Sequence, residues 1–337
     1  MRWRRALGPF LLMALLPGLL CLVTFAAVAQ DGDGARSGPG RRDVGDIDPL
    51  AMRSVEGGEY RHWVDRSHAY QHIISDFEIG VYEVTYALWY EVRLWALNHG
   101  YRFVHPGTEG LDGTPGAAPV GPVGQPVSGI SWRDAVVWSN ALSEYRELRP
   151  VYYADPSRET VLRNASLPVA RGPVADWNAE GFRLPTESEW LYVAAFPREG
   201  PYWQDGTYWN INCVPGDLPL ILSEEPGAYA WYQENAGGQT MPVGLLEASS
   251  LGAFDLGGNV WELVWDWWAP AASLGGGPVR EDYRGPSSGT ERVRRGGSVL
   301  NAVSSVIAGA RQKSSPAAVA PATGFRLARS GGSSGGE

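Results

Sequence analysis

The residues best suited to chemistry lie in one stretch, GAFDLGGNVWELVWDWW, from Gly252 to Trp268. Asp255 and Glu262 flank Gly257 and Gly258, and a third carboxylate, Asp266, follows among tryptophans. A glycine costs about 1 kcal/mol in a helix interior and weakens a strand. The glycines therefore predict a tight loop that turns oxygen atoms inward. Side-chain and backbone oxygens together make a site for a hard cation such as calcium. The neighbouring tryptophans predict that this loop is clamped onto a core. Asp255, Glu262 and Asp266 are also candidates for acid–base work, which needs a partner group within reach. All the histidines, at positions 62, 68, 72, 99 and 105, lie far upstream. His62, His68 and His72 would form a metal centre only by converging in space, and their spacing matches no recognised ligand pattern. The sequence holds no serine-hydrolase elbow, phosphate-binding loop or paired-cysteine motif.

Capping signals identify the elements that must position this stretch. Thr85 caps a predicted helix running through Trp95, with apolar positions at Leu88, Val92 and Trp95. Ser131 and Asp134 have capping-box spacing, with Asp in place of Glu, ahead of Ala135 to Trp138. Thr186 and Glu189 form a standard capping box ahead of Trp190 to Ala195. Strands are predicted at 77–79, 127–130, 292–294 and 325–327. Between these elements lie long segments rich in Gly, Pro and Trp, at 100–126, 150–180 and 197–250. Loops of that length in a compact domain are functional or held by their own side chains. The 15 tryptophans have two readings. Most are expected to fill the core of a fold with little regular structure, and the alternative is a stacking surface for sugars or other flat ligands. Arg294-Arg295-Gly296-Gly297-Ser298 opens a run of small residues. It reads either as strand, surface loop and closing strand, with the arginines in salt bridges, or as a ligand-facing surface over 299–323.

Composition bounds the class. The chain has 337 residues, 44% of them hydrophobic, with 43 glycines and 25 prolines. Wholesale disorder is excluded, and a loop-rich fold is favoured over a helical bundle. Arg2, Arg4 and Arg5 precede an apolar run from Leu7 to Val28, and Ala27-Val28-Ala29 has the small-x-small form of a cleavage site. Residues 1–29 thus read as a signal peptide cleaved after Ala29, with an uncleaved anchor as the alternative. Residues 30–49 read as a flexible linker and 330–337 as a disordered tail, which leaves one domain over 50–329. Cleavage removes three arginines and no acids, taking the net charge from −9 to −12. An acidic exported chain is a poor partner for nucleic acid. It would keep only Cys213, so no intramolecular disulfide can form.

FEIGVYEVTYALW (77–89), PVSGISWRDAVVWSNAL (126–142), GFRLPTESEWLYVAA (181–195), GAFDLGGNVWELVWDWW (252–268), RRGGSV (294–299) and TGFRLAR (323–329) follow one another along the chain. Together they resemble the formylglycine-generating enzyme / sulfatase-modifying factor domain family. The resemblance implies an α+β, C-type-lectin-like fold with few short helices and strands and many ordered loops. It implies one structural calcium, held by the side chains of Asp255 and Glu262 and the carbonyls of Gly258 and Val260. Region 229–244 is similar to members without a second calcium site. Leu263 departs from the Trp that many members carry. The family's oxidases convert a sulfatase cysteine to formylglycine with copper held by two cysteines near the GGS segment, and thiolates suit Cu(I). Here that segment reads GGSVLNAVSSVIAGARQKSSP, without cysteine, which argues for a non-catalytic member. The chain also looks like exported bacterial variable proteins ending in RGGSW…R…P…GFRL, whose intervening residues meet varied ligands. Arg311, Pro316 and Gly324-Phe325-Arg326 keep that pattern, while Val299 and Ile307 depart from its Trp and Arg. The contacts so implied are Val299, Leu300, Ala302, Ser304, Ser305, Gln312, Lys313, Ser314 and Ser315. The expectation is an exported protein, periplasmic, cell-surface or secreted, with no membrane span after cleavage. It would bind a protein or carbohydrate ligand through 299–323. The alternatives are a formylglycine-generating oxidase-type enzyme acting on a sulfatase cysteine and a structural component of the cell envelope.

Overall fold

The computed structural model describes residues 47–63, 69–166, 172–196, 226–270 and 279–331, with side chains for all of these except 61–63, 69 and 70. The expected signal peptide, most of the linker and tail, Cys213 and His68 lie outside the described residues. So does the side chain of His62, and with it the three-histidine centre.

Strands β1 (Met52–Val55), β2 (Gly58–Trp63), β3 (Ala69–Ile74) and β4 (Phe77–Glu83) open the domain. Helices α1 (Tyr86–Leu97), α2 (Trp132–Tyr145), α3 (Glu187–Ala195) and the single-turn α4 (Gln233–Ala236) follow. Strands β5 (Trp261–Trp267), β6 (Arg292–Arg295), β7 (Arg311–Ser314), β8 (Thr323–Gly324) and β9 (Arg326–Ser330) complete it. The other described strands are two residues long. The architecture is α+β, with short elements and long ordered loops. β1 and β9 both pair antiparallel with β4, so the two ends of the domain meet on one strand. The second sheet has the order β7-β6-β5-β8.

The three predicted caps form. Thr85 Oγ1 accepts the Leu88 amide at 3.4 Å. Asp134 Oδ2 accepts the Ser131 amide at 3.1 Å while Ser131 Oγ accepts the Asp134 amide at 3.2 Å. Glu189 Oε2 accepts the Thr186 amide at 2.7 Å while Thr186 Oγ1 accepts the Glu189 amide at 3.1 Å. Each cap contributes about 1 kcal/mol by satisfying amides that the helix leaves open. The strand predicted at 127–130 stops at Ser128, because Gly129 turns to φ +66° ahead of the α2 cap.

The glycine-rich stretch is only half loop. From Trp261 the chain runs as a strand buried on both faces. Side chains of a strand alternate between faces. Leu263 enters one core with Trp89 and Trp138 of α1 and α2, and with Phe325 and Leu327. Val264 enters a second core beneath α3, with Phe77, Ile79 and Val293. In the first core the Trp89 and Trp138 rings stack at 5.4 Å, with Phe325 edge-on to both. Trp89, Trp138 and Trp190 are fully buried, which bears out the core-filling reading for these three.

Candidate functional site

β5 sorts the chemistry of this region onto two faces. Glu262 and Asp266 point toward α3, where Trp190 Nε1 donates to Glu262 Oε2 at 2.7 Å and the Glu187 amide donates to Asp266 Oδ2 at 2.7 Å. Trp265 and Trp267 point toward α2 and face Trp132.

The loop before β5 closes a buried polar cluster. Asp255 and Asn259 take positive φ, as does Gly258, where a Cβ would lie 1.9 Å from the Trp231 carbonyl oxygen. Only glycine fits there. Asn259 Nδ2 donates to Glu83 Oε2 at 2.7 Å, and the Val260 amide donates to Glu83 Oε1 at 3.1 Å. Asp255 Oδ2 accepts the Gly244 amide at 2.7 Å, while its Oδ1 is buried without a partner among the described residues. Arg326 is the cluster's central cation: its Nε and Nη2 donate to Glu262 at 2.6 and 2.5 Å, and its other bonds go to the Gly80, Val81 and Phe254 carbonyls. Burial, reinforced by Asp255 and Glu262, pushes the Glu83 carboxyl well above its ordinary range. Burial also raises Asp255 to about 6. Asp266 is raised by burial and by Glu187, and its Oδ1 is likewise buried without a described partner.

The 299–323 segment leaves and returns to one place. The Val299 amide donates to Asn259 O at 3.0 Å, and the Trp261 amide donates to Ala322 O at 2.7 Å. Its interior is held by the β6–β7 ladder, by the Gln233 amide donating to Asn301 O at 2.9 Å, and by contacts to other elements. Arg311 forms a two-pronged pair with Glu187 at the start of α3 and lies 4.1 Å over the Trp268 ring. Arg295 Nη1 donates to the Gly309 and Ala310 carbonyls, and the Arg133 amide donates to Pro316 O. Although burial opposes its charge, Arg311 and Arg295 hold the Glu187 carboxyl below its ordinary range. The expected salt bridge of Arg295 is this one, at 3.4 Å from Glu187.

The expected ligand contacts divide by exposure. Leu300, Ala302, Ser304, Gln312, Lys313 and Ser315 are exposed, and Ser305 is half-buried. Val299 and Ser314 are not surface residues. Val299 packs with Val260 and Ala322 where the segment is pinned to β5, and Ser314 is buried at the end of β7. Gln312 accepts from Arg294, and Lys313 pairs with Glu291 at 2.8 Å.

Residues 46–331 match the family model described as the sulfatase-modifying factor enzyme 1-like domain. The chain belongs to this family. This sulfatase-modifying factor domain is 29% identical over 322 residues to the chaperone protein LppX of Paenibacillus barcinonensis, covering 92% of this chain and 98% of LppX. It is 33% identical over 159 residues to the formylglycine-generating enzyme of Thermomonospora curvata, covering 44% of this chain and 49% of the enzyme. Among solved structures, Treponema denticola variable protein 1 superposes with a TM-score of 0.62 at 28% identity, covering 83% of this chain and 95% of that one.

The metals associated with the family can be set against these residues. The described residues include no cysteine, and 299–323 offers only amide, hydroxyl, carbonyl and ammonium groups beside its anchoring arginine. That donor set does not suit Cu(I). The calcium set fits no better. Asp255 Oδ1 is a buried oxygen in want of a partner, but both Glu262 oxygens are taken by Arg326. A cation bound by Glu262 would lie against a guanidinium. Among the described residues, no three His, Cys, Asp or Glu side chains converge as metal ligands. As a set, Asp255, Gly258, Val260 and Glu262 therefore do not fit calcium in this geometry. Acid–base chemistry is also poorly served, since Asp255, Glu262 and Asp266 are all at most 1% exposed.

Glu83, Glu187 and Arg326 escape sequence reasoning, because their partners are remote along the chain.

Proposed function

We propose that this sulfatase-modifying factor domain is a non-catalytic, exported binding protein that engages a polypeptide partner through the exposed positions of 299–323. The double tether of that segment, at Asn259 and Trp261 of adjoining backbone, carries the reading. A rigid frame holding a loop of small, exposed residues is how binding surfaces are commonly built. Leu300 and Val319, 43% and 42% exposed, supply apolar contacts within it. The similarity to LppX, a protein named as a chaperone, favours a polypeptide over a sugar. The missing copper-ligand cysteines weigh against oxidase activity. No helix among the described residues is long and apolar enough to cross a membrane. Export rests on the targeting pattern of residues 1–29.

The test is an array of unfolded peptides probed with the purified chain and with Leu300→Asp/Val319→Asp. The variant should fold normally and bind at least about tenfold more weakly. Equal binding by the two proteins would remove the surface from the proposal. Copper-dependent oxygen consumption with a cysteine peptide would replace it with an enzyme.

A further inference from the structure

A second site lies on the α2-facing side of β5, bordering the 299–323 segment at Pro316. Arg292, on β6, is only 1% exposed and has no carboxylate within salt-bridge distance among the described residues. Its guanidinium is held between two indoles, with its central carbon 3.8 Å from the Trp132 centroid and 3.4 Å from that of Trp267. Nη1 donates to the Trp265 carbonyl, while the buried Nε has no hydrogen-bond partner among the described residues. Arg292 lines a pocket with Trp132, Val136, Leu162, Ala165 and Trp267. Gly172 stands beside it, where a Cβ would lie 3.0 Å from Nη2, so glycine keeps this wall open. Arg133 contributes a second cation to the lining.

We propose that this pocket binds a small monocarboxylate carried on an apolar or aromatic body. A buried cation without a counter-charge is costly, and an arriving anion recovers that cost. The planar fork of a guanidinium matches a carboxylate, and the indoles hold it in one orientation. The aliphatic and aromatic walls would desolvate the rest of the ligand, as small-molecule pockets do. A phosphate dianion is disfavoured because the walls are mainly apolar and its desolvation cost is higher. Burial lowers the Arg292 pKa to about 9, the sign of a cation short of compensation, with Asp266 and Tyr152 countering only in part.

The experiment uses the full chain, with benzoate as the anionic probe and benzamide as its uncharged counterpart. Binding is read by titration calorimetry and by the melting temperature. Benzoate should bind saturably and raise the melting temperature, and benzamide should bind at least about tenfold more weakly. Ala165→Leu, which puts a larger apolar side chain on the pocket wall, and Arg292→Met should each abolish the benzoate effect. Equal binding of the two probes, or no binding up to about 10 mM, would overturn the proposal. Undiminished benzoate binding by a folded Ala165→Leu variant would do the same. The probe comparison is made on the unmodified protein, so it stands even where Arg292→Met fails to fold.

Discussion

Replacing Arg326 by methionine should be far more damaging than neutralising its partner with Glu262→Gln. Both side chains are fully buried. Arg326 joins Glu262 through two bonds of 2.6 and 2.5 Å, and it also serves the Gly80, Val81 and Phe254 carbonyls. Methionine would leave Glu262 facing Glu83 and Asp255 with no cation among them, and the Gly80, Val81 and Phe254 carbonyls would lose a donor. Removing one partner of a buried pair costs about 3–5 kcal/mol, because the other charge stays buried and uncompensated. The glutamine variant keeps an acceptor for Arg326 and leaves the guanidinium in the field of Glu83 and Asp255. It also removes one of the charges that push Glu83 and Asp255 upward. Its cost should be about 1–2 kcal/mol, the loss of a charge-assisted bond. Urea unfolding at pH 7, extrapolated linearly to water, measures both. At pH 5 the methionine variant should recover part of its loss, since orphaned buried carboxyls take up protons more readily in the folded state. A glutamine variant as unstable as the methionine one would refute the assignment of Arg326 as the cluster's central cation. So would a methionine penalty that does not change with pH.

Two further outcomes follow from the same cluster. The Asp255 carboxyl rises from 3.8 to about 6 on folding. The folded state therefore holds this proton more tightly, and stability present below about pH 4 is lost as pH rises through about 6. Asp255→Asn, which tolerates the positive φ, should stabilise the protein at pH 7 by up to about 3 kcal/mol and lose that advantage near pH 4. Urea unfolding at the two pH values checks it, and a destabilised variant at pH 7 would contradict it. With Glu262 committed to Arg326, the melting temperature should be the same in calcium and in chelator. A calcium-dependent rise would mean that the pair opens to admit the ion.

Local signals are plain in the chain itself. Thr85, Ser131 with Asp134, and Thr186 with Glu189 announce the three longer helices, because a cap is a contact within one turn. Gly258 announces its loop, because a close backbone approach excludes every side chain. Glu262 misleads for the opposite reason. A carboxylate beside glycines has the local chemistry of a cation ligand, and nothing near it in sequence reveals that Arg326 occupies both its oxygens. Val299 misleads likewise: it stands at the head of a run of small residues, but its amide and side chain are spent on β5 and the loop before it. Arg292 reads in sequence only as the start of a short basic strand, although its indole cage and open pocket are its distinguishing features.

The caps, the glycine-limited turns, the order of family motifs and the lack of thiolate ligands after Ser298 are properties of the chain alone. They depend on neighbours in sequence or on composition, both of which are written in it. Which charges meet is settled by the packed fold. It sets Glu262 on Arg326 and Glu187 on Arg311, and it holds Arg292 between two tryptophans with no counter-ion among the described residues. Such pairings are fixed by how strands and helices stack. In a low-dielectric interior, the identity of the partner determines whether a carboxylate binds a cation, holds a proton or locks the fold.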